Sequence, residues 1–211
     1  MKELGLIVFG WLLGLLGPGI VDAIKKRYQR NEVKAAIDSE LSEIQYRLAG
    51  SAYVIRLRYG TVDQSFLAWI MTIFKKYSGV YASEQLLDGL ERQCKLTEEQ
   101  LAAFGEYQKS DGTRALTLRK YSTPFLDSHI SNASWFPSNL QVSLFELKAQ
   151  IGILNDLVEE ARNYRAMAFQ ADLSEENYLS VREDLERVYK LTAERSEDIA
   201  KAISGIQSRK A

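Results

Sequence analysis

The chain has 211 residues, 27 basic and 28 acidic side chains, a formal net charge of −1 and 46% hydrophobic residues. That balance gives no whole-chain argument for nucleic acid as a partner, and a lone cysteine, Cys94, excludes an internal disulfide. Three prolines and thirteen glycines, several of them near the start, leave the remainder poor in breakers and favour an all-α fold.

The first stretch, Leu4 to Val21, contains no charged residue. Its 18 residues meet the roughly 17–25 that a bilayer-spanning helix needs. Eleven are Leu, Ile, Val or Phe, together contributing roughly −3 to −6 kcal/mol towards insertion. Gly17-Pro18-Gly19 is the weak point: a break there leaves a segment too short to span, and a re-entrant or in-plane helix is the alternative. A cleaved leader ending near Val21-Asp22-Ala23 is disfavoured by an n-region with only Lys2, offset by Glu3. A buried core helix leaves unexplained why every face lacks charge.

Lys25, Lys26, Arg27 and Arg30 follow the run, with Lys34 beyond them. The positive-inside rule keeps this side in the cytoplasm and sends the short N-terminus outward. The same cations suit anionic lipid headgroups at about 1 kcal/mol each. Gly10 and Gly14 have the spacing that lets two membrane helices approach closely. The expected organisation is a transmembrane anchor over 1–24, a basic juxtamembrane segment over 25–35 and a cytoplasmic α-helical domain over 36–211. The implied setting is a cell inner membrane, crossed once.

Ile37, Leu41, Ile44 and Leu48 recur at spacings of four, three and four, one stripe of an amphipathic helix that continues from the anchor. Ser51 to Tyr59 fits a strand or a helix, and the lack of a pairing partner selects helix. Gly60 ends it, and Thr61 to Asp63 restarts the chain. Ser65 to Tyr77 is the most apolar stretch after the anchor and supplies the core through Phe66, Trp69, Ile70, Ile73, Phe74 and Tyr77. Ser83 caps a helix reaching to about Leu96, with Leu86, Leu87, Leu90 and Cys94 inward. Thr97-Glu-Glu-Gln100 is a capping box opening a helix with Leu101, Phe104 and Tyr107 on one face. Ser110 to Gly112 reads as a turn, and Thr113 to Tyr121 as a short helix or extended loop. Pro124 opens another short helix. Asn132 to Pro137 is a loop whose Trp135 and Phe136 plug one end of the core.

The clearest pattern comes last. Leu140, Leu144, Leu147, Ile151, Leu154, Val158, Ala161, Arg165 and Ala168 alternate by four and three. So do Tyr178, Val181, Leu185, Val188, Thr192, Arg195, Ile199, Ala202 and Ile206. These predict a long antiparallel helical hairpin over about 138–208, turning around Asp172 and Ser174. The helix around Ile37–Leu48 completes a three- or four-helix bundle. The acid excess from Asp172 to Asp198 reads as a solvated face.

Motifs for chemistry are sparse. His129 is the single histidine, so a histidine pair for a metal is excluded. Asp127 and His129 are two apart and diverge on a helix. Ser122, Ser128 and Cys94 sit in no activating motif. No phosphate loop, dinucleotide fingerprint or Glu-x-x-His pair occurs, although Glu40, Glu43, Glu159 and Glu160 are carboxylates of helices. Asn155 adjoins the seam, where a polar residue more often fixes register than binds a ligand. The expectation is a non-enzymatic, membrane-tethered helical interaction or scaffold protein. It needs no cofactor, and its partners are the lipid bilayer and a protein partner or second copy, not nucleic acid. The alternative is a membrane-acting effector or toxin whose transmembrane helix assembles under control of the helical domain.

Overall fold

The computed structural model describes residues 2–109, 116–130, 136–170 and 173–208, with side chains from residue 19 onward. The expected turn at 110–112, residues 113–115 and Trp135 lie outside this set, as does Asp172. All regular structure among the described residues is helical, in seven elements. α1 spans Lys2–Arg58, α2 Gln64–Lys76, α3 Glu84–Gln93 and α4 Glu98–Gln108. α5 spans Pro124–His129, α6 Ser138–Ala168 and α7 Glu175–Ser208.

Local chemistry explains the boundaries. Arg58 ends α1, and Gly60 adopts φ 65°, a left-handed conformation that glycine takes without a Cβ penalty. Its Cα packs against the Gly105 backbone of α4, where a Cβ on either glycine would come within 3.4 Å of the other chain segment. Asp63 caps α2 by accepting from Phe66 N, and Ser83 caps α3 by accepting from Leu86 N. Thr97 and Gln100 form the reciprocal capping box of α4. Pro124 occupies the first turn of α5, and the Glu40 carboxylate of α1 accepts from Phe125 N and Leu126 N at 2.8 Å each. A side chain from another helix thus satisfies the free amides at the start of α5.

The core is a three-helix bundle of α1, α7 and α6, with α7 in the middle. Gln45 Nε2 donates to Ala200 O at 2.7 Å, Gln207 Nε2 donates to Ser42 Oγ at 2.8 Å, and Arg56 pairs with Glu197 at 2.7 Å. These bonds run antiparallel along α1 and α7. α6 and α7 form the expected antiparallel hairpin, so α1 and α6 run the same way. Leu41, Leu48, Leu67, Ile70, Leu90, Leu154 and Ile203 are fully buried, each worth roughly 1.5–3 kcal/mol against exposure. α2, α4 and α5 pack on α1 and α3 packs on α2, while Asp127 of α5 reaches Lys148 of α6 and Trp69 of α2 meets Lys201 of α7. Tyr46 stacks on Tyr77 and meets Phe74 at a tilt.

Residues 116–123 are not helical and form a strap across α6 and α7. Asn155 of α6 holds it from both sides: Tyr121 N donates to Asn155 Oδ1 at 2.7 Å, and Asn155 Nδ2 donates to Tyr121 O at 2.8 Å. Tyr189 Oη donates to Leu116 O at 2.8 Å, and Arg162 donates to Leu118 O. Asn155 therefore sets the strap's register rather than that of a helix pair.

Three expected inward positions are corrected. Tyr107 is 85% exposed, because α4 is covered along Leu101, Phe104 and Gly105 and its last turn is not. Arg195 is exposed and Ser196, its neighbour, is fully buried. Tyr178 is exposed because it precedes the packed length of α7. Arg165 stays on the half-buried margin and donates to Thr117 Oγ1 at 2.8 Å rather than to a carboxylate.

Among the described residues, no helix is long and apolar enough to cross a membrane. The Leu4–Val21 run is helical in backbone, but its side chains through residue 18, Gly10 and Gly14 included, lie outside the described set. α1 does not break at Gly17-Pro18-Gly19; one helix joins the apolar run, the basic segment and the bundle.

Candidate basic site

α1 is longer than the bundle that holds it. Every residue from Gly19 to Glu32 is exposed, and packing begins only at Val33. At 1.5 Å per residue, the length from Lys2 to Asn31 projects about 45 Å beyond the bundle end. Among the described side chains of this arm the apolar ones, Ile20, Val21, Ile24 and Tyr28, are exposed, Ile24 to 64% and Tyr28 to 65%.

The buried stripe of α1, read back from Leu48 through Leu41 and Ile37, continues at the same spacing onto Lys34, Arg30, Arg27 and Ala23. One helix face is therefore apolar inside the bundle and basic just outside it. Lys25 and Lys26 are also exposed, so the four expected headgroup-contacting residues all face solvent near the bundle end. Glu32 lies on another side of the helix and hydrogen-bonds Tyr28, raising that phenol's pKa.

α6 begins and α7 ends at this same end. Between them and α1 lies a cavity of about 360 Å³, lined by Arg30 and Lys34 of α1, Phe136, Leu140 and Ser143 around the start of α6, and Ile206 of α7. A second hollow of about 350 Å³ follows along the arm, lined by Ala23, Lys26, Arg27 and Arg30. Among the described residues, neither lining includes an acidic side chain. Among the described residues, Arg30 and Lys34 form no ion pair. The first turn of α6 carries no acid, and its N-cap Pro137 makes no side-chain cap, although Asn139 Oδ1 accepts from Leu140 N at 2.9 Å; the positive end of a 31-residue helix dipole faces the same region.

Sequence reasoning found the basic residues of α1 but missed Phe136, Ser143 and Ile206 as their cavity partners. Those three are distant in the chain and carry no shared motif; only the bundle topology brings them together.

Other candidate groups are placed in packing roles. His129 stacks on Phe125 at 4.3 Å between ring centres, and its Nδ1 lies 2.8 Å from Ser128 Oγ and 3.0 Å from Phe125 O. Ser128 Oγ donates to Phe125 O, and Asp127 pairs with Lys148 at 2.6 Å, so Asp127 is directed away from the imidazole. Burial pushes the Cys94 thiol upward in pKa, away from the thiolate a nucleophile uses. Glu43 pairs with Arg47, and Glu159 with Lys120 and Arg162. No group of three His, Cys, Asp or Glu among the described residues is arranged to hold a metal ion.

Comparison with known protein families, with characterised proteins and with solved structures finds no match.

Proposed function

We propose that the chain is a membrane-tethered helical interaction protein without catalytic activity. The N-terminal part of α1 is the tether, the basic segment after it lies on the headgroups, and the bundle stands in the cytoplasm. The observation that carries this reading is the projecting arm. A helix extending about 45 Å from its domain, with every described side chain from Gly19 to Glu32 exposed, leaves its apolar surface to another medium. A bilayer is the medium that an uncharged 18-residue run followed by cations suits.

Two further features support a scaffold. The arm is continuous with the core helix of the bundle, so one helix couples the tether to the domain. The outer side of α6 also presents Val142, Phe145 and Ile153 to solvent, each about half exposed, a surface of the kind that helices use to bind other helices.

Membrane fractionation of the full chain, followed by alkaline carbonate washing, tests the tether. The chain is expected to remain in the pellet after the wash. Complete release by carbonate would mean peripheral attachment and would remove the spanning arm from the account.

A further inference from the structure

We propose that the cavity between Arg30, Lys34, the start of α6 and Ile206 is a binding site for one phosphate-bearing headgroup of an anionic membrane lipid. This deepens the tether proposal and rests on it, because the lipid is supplied by the bilayer that the arm enters.

Three observations on the molecule carry it. The cavity holds about 360 Å³, within the size range of small-ligand sites. Its charged lining groups are both cationic, without an ion pair among the described residues. Its walls combine those cations with the apolar side chains of Phe136, Leu140 and Ile206, which matches a ligand whose phosphate adjoins hydrocarbon.

Position selects the source of the phosphate. Arg30 and Lys34 sit nine and thirteen residues past Val21, the end of the uncharged run, or about 13 and 20 Å along the helix axis. The Arg30 backbone therefore lies just outside the headgroup layer, which is about 5–8 Å thick on each side; its long side chain spans the gap back to the outer phosphates, and its guanidinium fork suits phosphate oxygens. Lys34 then meets the same phosphate from the bundle side. Lys25 and Lys26, nearer the bilayer, lie outside this cavity and contribute only diffuse attraction to an anionic surface.

The test uses the full chain in a neutral detergent and reads its melting temperature against titrated ligand. The probes are short-chain phosphatidic acid, short-chain phosphatidylcholine and inorganic phosphate. Phosphatidic acid is expected to raise the melting temperature of the unmodified chain saturably, and the other two to leave it unchanged. Arg30→Gln with Lys34→Gln should raise the half-saturating concentration about a hundredfold or more, from about tenfold or more for each charge-assisted hydrogen bond lost. Lys25→Gln with Lys26→Gln removes the same charge outside the cavity and should change it less than about threefold, the mark of surface screening alone. Ser143→Trp keeps every charge and fills the cavity, so it should abolish the response; this separates lost space from lost charge. Equal losses in the two double variants would overturn the site in favour of diffuse attraction. A full response to inorganic phosphate would overturn the lipid as its source, and no response to phosphatidic acid would overturn the site altogether. The carbonate wash reads the tether separately: retention in the pellet with no headgroup response refutes this site and leaves the tether standing.

Discussion

Asn155→Leu is the substitution whose consequence is best defined by the structure. Asn155 makes two opposed hydrogen bonds to Tyr121, accepting from its N–H at 2.7 Å and donating to its carbonyl at 2.8 Å. Tyr121 is only 6% exposed, so water does not readily replace either bond. Each bond contributes about 0.5–1.5 kcal/mol net, and a buried group left without a partner costs about 1–3 kcal/mol. Asn155 itself is half-buried, which keeps the total near the lower part of the sum, about 2–4 kcal/mol. In a chain of this length that is a fall of roughly 4–15 °C in melting temperature. Leucine preserves volume, so the loss reports the bonds rather than a cavity. Circular dichroism melts give the magnitude, and hydrogen exchange at the Tyr121 amide gives the location. Asn155→Asp keeps the acceptor for that amide and loses the donor, so it should retain amide protection while still losing stability. A melting temperature within 1 °C of the parent for Asn155→Leu, with Tyr121 still protected, would refute the claim that this side chain holds the strap.

Other expectations follow from the core and its titrating groups. Leu154→Asp places an unpaired carboxylate at a fully buried position and should unfold or loosen the bundle, while Glu160→Lys, on the half-exposed margin of α6, should shift the melt by no more than about 0.5 kcal/mol; equal melts would contradict the seam. Burial pushes the Tyr59 phenol up to about 12, against a small lowering by Arg58. A phenol that keeps its proton longer in the folded state stabilises fully below about pH 10, and this is lost as pH rises from about 10 to 12. Tyr59→Phe should therefore flatten the decline in stability over that window, and an unchanged slope would contradict the burial effect. His129→Ala removes a stack on Phe125 and a bond to its carbonyl; it should cost about 1 kcal/mol and leave cellular activity intact. A folded, membrane-bound variant without activity would make His129 a functional base.

The bundle was legible in the sequence wherever burial imposed a period. The seam from Leu144 to Ala161 is buried at each expected position, and Asp63, Ser83 and Thr97 cap the helices they precede. α7 was read as a single stripe, but it packs between α1 and α6 and needs a wider face. Tyr189, Ala193, Ser196, Ala200 and Ile203 are buried as well, and this broadening displaced the expected Arg195. The strap reads equally as helix or loop because its partners are side chains of α6 and α7, which impose no period on residues 116–123. The basic half of the candidate site was visible as a charge run. Its cavity was not, since Lys34, Ser143 and Ile206 meet only where α6 begins and α7 ends beside α1.

The orientation of α1 is the central claim, and cysteine labelling tests it most directly. With Cys94→Ser removing the only native thiol, single cysteines at Lys2 and at Asn31 report the two ends of the arm. In intact cells, a membrane-impermeant maleimide is expected to label Lys2→Cys and to reach Asn31→Cys only after permeabilisation. Equal labelling of both positions before permeabilisation, or protection of Lys2→Cys until permeabilisation, would contradict a helix that crosses the bilayer with its bundle inside.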